Sequence, residues 1–349
     1  FNADPHVGPA LKGSMNLSDA DARTLVHWIE AGAPRGEGPD PLKVSAKPAP
    51  EWELGEPDLV ITLPAFEVPA SGIVDYQNPV LKSPLAEGRW LRASQIKVGD
   101  RQAVHHLLSP VGGYAVGAET TKHPEGTGVW AEPGANLRFQ LHYTPYGKAT
   151  TDVTRVGLYF YPKDKPPELI RRSSVVLNAG IEIPPNEARW QETAYITFPK
   201  DALLYSVYPH AHYRGENMHV SIQRPGQAEE MILSLPKYDF NWQRGYEFAE
   251  PIRLEPGTRL ITRYQYDNSK ANRANPDPTI RVTWGEQSHE EMQYTAFSFG
   301  WADETVANPK PEYMQLLSNS RTFGMLDGNI DGKVEREEVG PTLTGTMVD

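Results

Sequence analysis

Cysteine is absent from all 349 residues. Its absence excludes disulfides, thiolate-ligated zinc, iron–sulfur clusters and covalent haem attachment through C-x-x-C-H within this chain. No apolar run approaches the roughly 18 residues of a membrane-spanning helix. Basic stripes are missing as well, and the formal net charge is −11. Neither nucleic acid nor an anionic membrane surface is therefore an expected partner. Long helical periodicity is scarce.

Turn residues and aromatics are plentiful instead. The chain has 29 Gly, 32 Pro, 16 Tyr and 8 Trp, and 39% of its residues are hydrophobic. That is enough for two domains of ordinary size plus extra segments, mainly β with many turns. Phe1 stands where an initiator Met or signal peptide would, so the expectation is a mature or truncated piece of a longer product. Ser18 can cap a helix starting at Asp19, with Asp19 and Asp21 in its first turn. Ala22, Leu25, Val26 and Ile29 keep the helical period until Gly32 and Pro34 stop it. A Pro/Gly-rich linker follows over residues 34–57.

From about Glu51 to Glu304 a strand-and-turn pattern occurs twice. Glu132-Pro133-Gly134, running to His142-Tyr143, lines up with Glu255-Pro256-Gly257, running to Gln265-Tyr266. Asp152-Val153 lines up with Glu291-Met292, and Val104-His105-His106 loosely with Pro209-His210-Ala211-His212. Two copies of one β-sandwich are expected, at residues 51–178 and 179–304, with terminal segments at 1–50 and 305–349.

The repeat separates two unlike ligand sets. His105, His106 and His142 fall in the first copy; His210, His212 and Met292 fall in the second. A thioether suits Cu(I) but is a poor ligand for zinc, calcium or magnesium, and imidazole accepts copper in either oxidation state. Two different copper sites point to redox chemistry. His210 and His212, one residue apart, would leave the same face of a strand. His105 and His106, being consecutive, can share an ion only at a strand end, at a bulge, or through different ring nitrogens. His6, His27, His123 and His219 have no such companions and read as surface or packing residues. Tyr143 and Tyr266, at matching positions, read as core packing ahead of a role in lining a cleft or delivering electrons.

Val104-His105-His106-Leu107, Leu141-His142-Tyr143, Pro209-His210-Ala211-His212 and Gly285-Glu286 through Glu290-Glu291-Met292 resemble the copper type II, ascorbate-dependent monooxygenases. The resemblance spans about residues 58–300 and matches all six ligands in order. It implies a pair of jelly-roll-like sandwiches facing a solvent cleft. His105, His106 and His142 would hold an electron-donating copper, and His210, His212 and Met292 the copper that binds O2. It further implies a small-molecule substrate and an electron donor, ascorbate or a cytochrome. Tyr208 and Pro209 stand where peptide-amidating members carry an arginine, which argues against a peptidylglycine substrate.

Both ends add expectations. Phe1 to His6, the Leu17–Gly32 helix and Gly32-Ala33-Pro34-Arg35-Gly36 resemble the end of a c-type cytochrome module, whose haem c motif would lie upstream of Phe1. Near the other end, Asp327-x-Asn329-x-Asp331-Gly332 followed by Glu338 fits an EF-hand loop for one calcium, with Lys333 contributing only its carbonyl and Phe323 anchoring the entering helix. Copper and calcium together favour an extracellular or periplasmic location. The rival expectation is a non-catalytic copper-binding or electron-transfer module of a larger extracellular assembly.

Overall fold

Burial along the Gln293–Trp301 strand shows how this sequence builds its sheets. Gln293, Thr295, Phe297 and Phe299 are buried, whereas Tyr294, Ala296 and Ser298 between them are half-buried. Side chains of a strand leave alternate faces, so one face enters an apolar core and the other lines a cavity. The computed structural model describes residues 3–13, 17–40, 43, 50–336 and 338. Among them the chain is mainly β, and no helix is long and apolar enough to cross a membrane.

In the first half, Arg155–Phe160 lies antiparallel between Leu59–Thr62 and Arg89–Lys97, which continues to Thr127–Ala131. A second sheet carries Gln140–Tyr143, Val104–Ser109 and Gly112–Ala115 in that order. Leu91, Ile96, Val156 and Leu158 from the first sheet join Leu107, Leu141 and Tyr143 from the second in one apolar cluster. In the second half, the sheet Arg172–Asn178, Gln293–Trp301, Ala202–His210, Tyr246–Leu254 shares a core with the sheet Trp190–Thr197, Arg259–Tyr266, Gly215–Gln223, Glu230–Leu235.

The repeated tyrosines occupy equivalent places. Tyr143 and Tyr266 are both buried in their cores. Tyr143 Oη donates to Asp152 Oδ2 at 3.0 Å, and Tyr266 Oη donates to the Met292 carbonyl at 2.8 Å. Each hydroxyl thus reaches the strand segment paired with it in the sequence alignment.

The helix expected after Ser18 is present as α1 (Asp19–Glu30), with the Ser18 hydroxyl accepting from the Asp21 amide. None of its residues is buried, and Leu25, Val26, Trp28 and Ile29 stand exposed. The segment before it behaves differently: Ala3 lies in the second core and Leu11 bridges to Phe248. A second helix, α2 (Glu312–Leu326), packs on the Trp190–Thr197 strand. Leu317 is fully buried, and Ser320 Oγ accepts from the Thr197 amide at 2.7 Å. A Cβ on Gly324 would lie 2.1 Å from the Tyr195 carbonyl oxygen, so only glycine permits this approach. Phe323, by contrast, is exposed and does not serve as the anchor.

Leu317→Ala should lower stability by about 2–5 kcal/mol through loss of buried apolar area and the cavity left behind. Urea unfolding checks this; a shift under about 0.5 kcal/mol would mean that α2 is not an integral part of the second core.

Candidate metal centre

The His105–His106 problem is resolved by a bulge. His142 pairs with His106 and Tyr143 with Val104, so the register skips His105. A bulge re-aims one side chain of a strand, and here it turns two consecutive imidazoles toward a third. One ring nitrogen from each of His105, His106 and His142 falls within 4.8 Å of the others. This cluster can hold a metal.

The second set is assembled by a carboxylate that the sequence reading did not single out. The Ala202–His210 strand ends at His210, so His212 lies beyond it and not on a common strand face as expected. Buried Glu291 catches the chain there. Its Oε2 accepts the amides of His212 (2.7 Å) and Met292 (3.0 Å), and its Oε1 accepts that of Arg214 (2.8 Å). One oxygen therefore fixes the backbone of two expected ligands. The His210 and His212 rings meet edge to face at 5.1 Å. Met292 is half-buried, belongs to neither apolar core, and lines a cavity of about 610 Å³ with His210, Trp284, Glu286 and Tyr294. Asp152, which aligns with Glu291, does the same work in the first half: it is buried and accepts the Gly99 amide at 2.7 Å and the Asp100 amide at 3.2 Å. The alignment of Asp152 with Glu291 was the signal that could have found both.

Hydrogen bonds to carbonyl oxygens decide which ring nitrogen stays free. His210 Nδ1 donates to Gln243 Oε1 at 2.6 Å, and Gln243 is oriented by its own bond to the Phe240 carbonyl. His212 Nδ1 donates to the Glu290 carbonyl at 3.3 Å, and His105 Nε2 to the Phe240 carbonyl at 3.2 Å. A neutral imidazole that donates through one nitrogen keeps a lone pair on the other. His106 Nδ1, His142 Nδ1 and His212 Nε2 are buried with no protein partner. Buried imidazole nitrogens without a partner are costly unless something binds them, and copper fits these donors.

Burial also keeps the rings neutral. It depresses His142 to about 3 and His210 to about 4, and holds His106 and His212 well below the usual histidine range. Neighbouring histidines add to the effect at His142, His106 and His212. Burial raises Glu291 to about 7, against the pull of the three amides and Arg214.

The open cleft implied between the two sets is not what the structure shows. The His106 and His210 rings approach to 6.1 Å, and both are buried. Phe240 explains the closure. Its ring stacks on His105 at 5.0 Å and meets His142 at 5.8 Å and His212 at 5.7 Å. Tyr76 packs on the other side of the first set, 4.7 Å from His142.

The candidate calcium loop follows α2. Buried Asp327 accepts Asp331 N–H and Gly332 N–H through its two oxygens, and the Tyr195 hydroxyl donates to it at 2.5 Å. Glu338 folds back to accept the amides of Asn329 and Glu335, each at 3.1 Å. Asp331 and Lys333 lie on the same loop, where Asp331 Oδ1 accepts the Lys333 amide. Burial, together with repulsion from Asp331 and Glu338, raises the Glu335 carboxyl. The exit segment with Pro341 lies outside the described residues, as do Phe1 and Asn2.

Residues 172–295 match the family model for the copper type II ascorbate-dependent monooxygenase, C-terminal domain. The match contains His210, His212, Glu291 and Met292 and leaves out the three-histidine set. No curated protein matches the chain. Among solved structures, the chain is similar to the N-terminal CBM22-1-CBM22-2 tandem domain of Xyn10C from Paenibacillus barcinonensis. That match has 12% identity and covers 65% of this chain and 83% of the other. Its TM-score of 0.18 lends no support to a shared fold or site.

Glu291→Gln places an amide NH2 among three N–H donors. It should cost about 1–3 kcal/mol of stability and weaken copper uptake at His210 and His212 before it affects the three-histidine set. Urea unfolding and copper titration of the variant check this; unchanged values for both would remove Glu291 from the account.

Proposed function

We propose that the chain is a copper-dependent monooxygenase that hydroxylates a C–H bond of a small-molecule substrate with O2 and an external reductant. The observation that carries this is the pairing of unlike donor sets. Three convergent imidazoles stand beside a His-x-His pair, and the backbone amides of His212 and Met292 share one oxygen of Glu291. The family match over residues 172–295 supports the reading from the C-terminal half.

In this reading His105, His106 and His142 hold the electron-donating copper, and His210, His212 and Met292 hold the copper at which substrate is oxidised. Copper, when bound, supplies the one-electron chemistry that reduces O2 and delivers one oxygen atom to carbon. The chain's own residues set the stage. Gln243 and the Phe240 and Glu290 carbonyls hold imidazole protons on the nitrogens that face away from the ion. The Phe240 and Tyr76 rings exclude water between and behind the two sets. The cavity beside Met292 and His210 leaves room for substrate at the thioether site. The short separation of the sets suits direct electron delivery from one to the other.

Further parts of the proposal are two jelly-roll-like sandwiches, a calcium ion held by Asp327, Asn329, Asp331, the Lys333 carbonyl and Glu338, and an extracellular or periplasmic setting. The loop supports calcium through its spacing, with Asp327, Asn329, Asp331 and Glu338 at the ligand positions and Asp327 and Glu338 folded over the loop's own backbone amides. Electrons would come from ascorbate or from a haem donor, which the cytochrome-like N-terminal residues favour.

Metal analysis should find two coppers per chain, falling to one in His106→Ala. Reductant-dependent O2 consumption with a hydroxylated product should drop to background in Met292→Ile. Activity that survives Met292→Ile, or copper confined to one set, would contradict the proposal and favour a non-catalytic electron-transfer module. Glu338→Gln should weaken calcium binding by at least about tenfold in calorimetry, and unaltered binding would place calcium elsewhere or nowhere.

A further inference from the structure

A larger cavity, of about 950 Å³, lies where the two halves meet. The turn after the His105–His106 strand forms one wall, and the cavity faces of the Ala202–His210 and Gln293–Trp301 strands form another. It borders the cavity of Met292, since Leu108, Ser109, Pro110, His210 and Tyr294 line both. A molecule held in the larger space therefore lies against His210, beside the cavity of Met292.

The charge along this cavity has one sign. Arg171, Arg172 and Arg321 line it and no Asp or Glu does, in a chain of net charge −11. Arg172 is committed to Glu304, at 2.5 and 2.7 Å, and Arg321 donates to Ser318 Oγ at 3.3 Å. Arg171 is different. It is 8% exposed, its Nε donates to Ser298 Oγ at 2.5 Å, and its guanidinium lies over the Tyr205 ring. Its Nη1 is buried without an acceptor. Glu247 is the carboxylate whose charge reaches Arg171, but Glu247 already accepts from Lys12 at 2.9 Å. His123, on the same cavity, has both ring nitrogens buried and unpartnered, and it feels the Arg171 charge. A buried guanidinium N–H and an adjacent imidazole, both lacking partners, call for an acceptor that arrives from outside the protein.

We propose that Arg171 and His123 bind the carboxylate of an organic acid substrate, whose apolar body lies along Leu91, Val111, Ile170 and Ala296 toward His210 and Met292. The planar guanidinium suits a carboxylate better than a point charge would. His123, read from sequence as a surface or packing residue, becomes a specificity residue. Naming the bound acid a substrate rests on the monooxygenase reading; its binding here does not.

Calorimetry on the full chain, with and without copper, tests this using phenylacetate, hydrocinnamate and their longer homologues, each against its primary amide. At least one acid should bind about tenfold or more tighter than its amide, with or without copper. Added NaCl should weaken the acid and leave the amide unchanged. Arg171→Gln should erase the preference, Arg171→Lys should retain part of it, and Arg321→Gln should leave it intact. Should Arg171→Gln fail to fold, the acid–amide comparison and its salt dependence in the unaltered protein still decide. Equal binding of acids and amides, no binding of either, or a preference that survives Arg171→Gln would overturn the proposal. Loss of copper binding with acid binding preserved would instead overturn the monooxygenase reading alone.

Discussion

Burial of uncharged imidazole is the constraint on which this molecule is organised. His106, His142, His210 and His212 sit where protonation is strongly disfavoured, with three of their nitrogens left without protein partners. An apolar core would not leave such atoms unsatisfied, and a solvated surface would not need to. Carbonyl acceptors of Phe240, Gln243 and Glu290 fix the tautomers of His105, His210 and His212, so their lone pairs are directed before any metal arrives. Preorganisation of this kind is what a metal site requires of its protein.

Both halves use one device near their histidine sets, a buried carboxylate that accepts backbone amides. Asp152 ties down the loop that leads into the His105–His106 strand, and Glu291 ties down the chain beyond His210. The residue after each carboxylate differs, Val153 in one half and Met292 in the other. Together with His142, whose counterpart is Gln265, that divergence would give one site three nitrogens and the other a soft sulfur.

Much of this was legible in sequence because it depends on local order. The bulge at His105 was one of three ways to make adjacent histidines converge, and the alternation that puts Tyr294, Ala296 and Ser298 on one face is plain strand periodicity. The Ser18 cap was legible for the same reason. What sequence did not reveal came from contacts between distant segments. Phe240 closes the space between the two histidine sets from a turn about 30 residues beyond His210. Arg171 and His123 share a cavity created where the two halves of the chain pack together. His212 leaves its strand because a carboxylate 79 positions away in sequence holds it there.

X-ray absorption at the copper edge of the reduced, two-copper protein tests the central claim most directly. The account predicts nitrogen scattering at both ions and one sulfur shared over the two, with the sulfur lost in Met292→Ile while the nitrogen shells remain. A spectrum without sulfur, or one that Met292→Ile leaves unchanged, would contradict it.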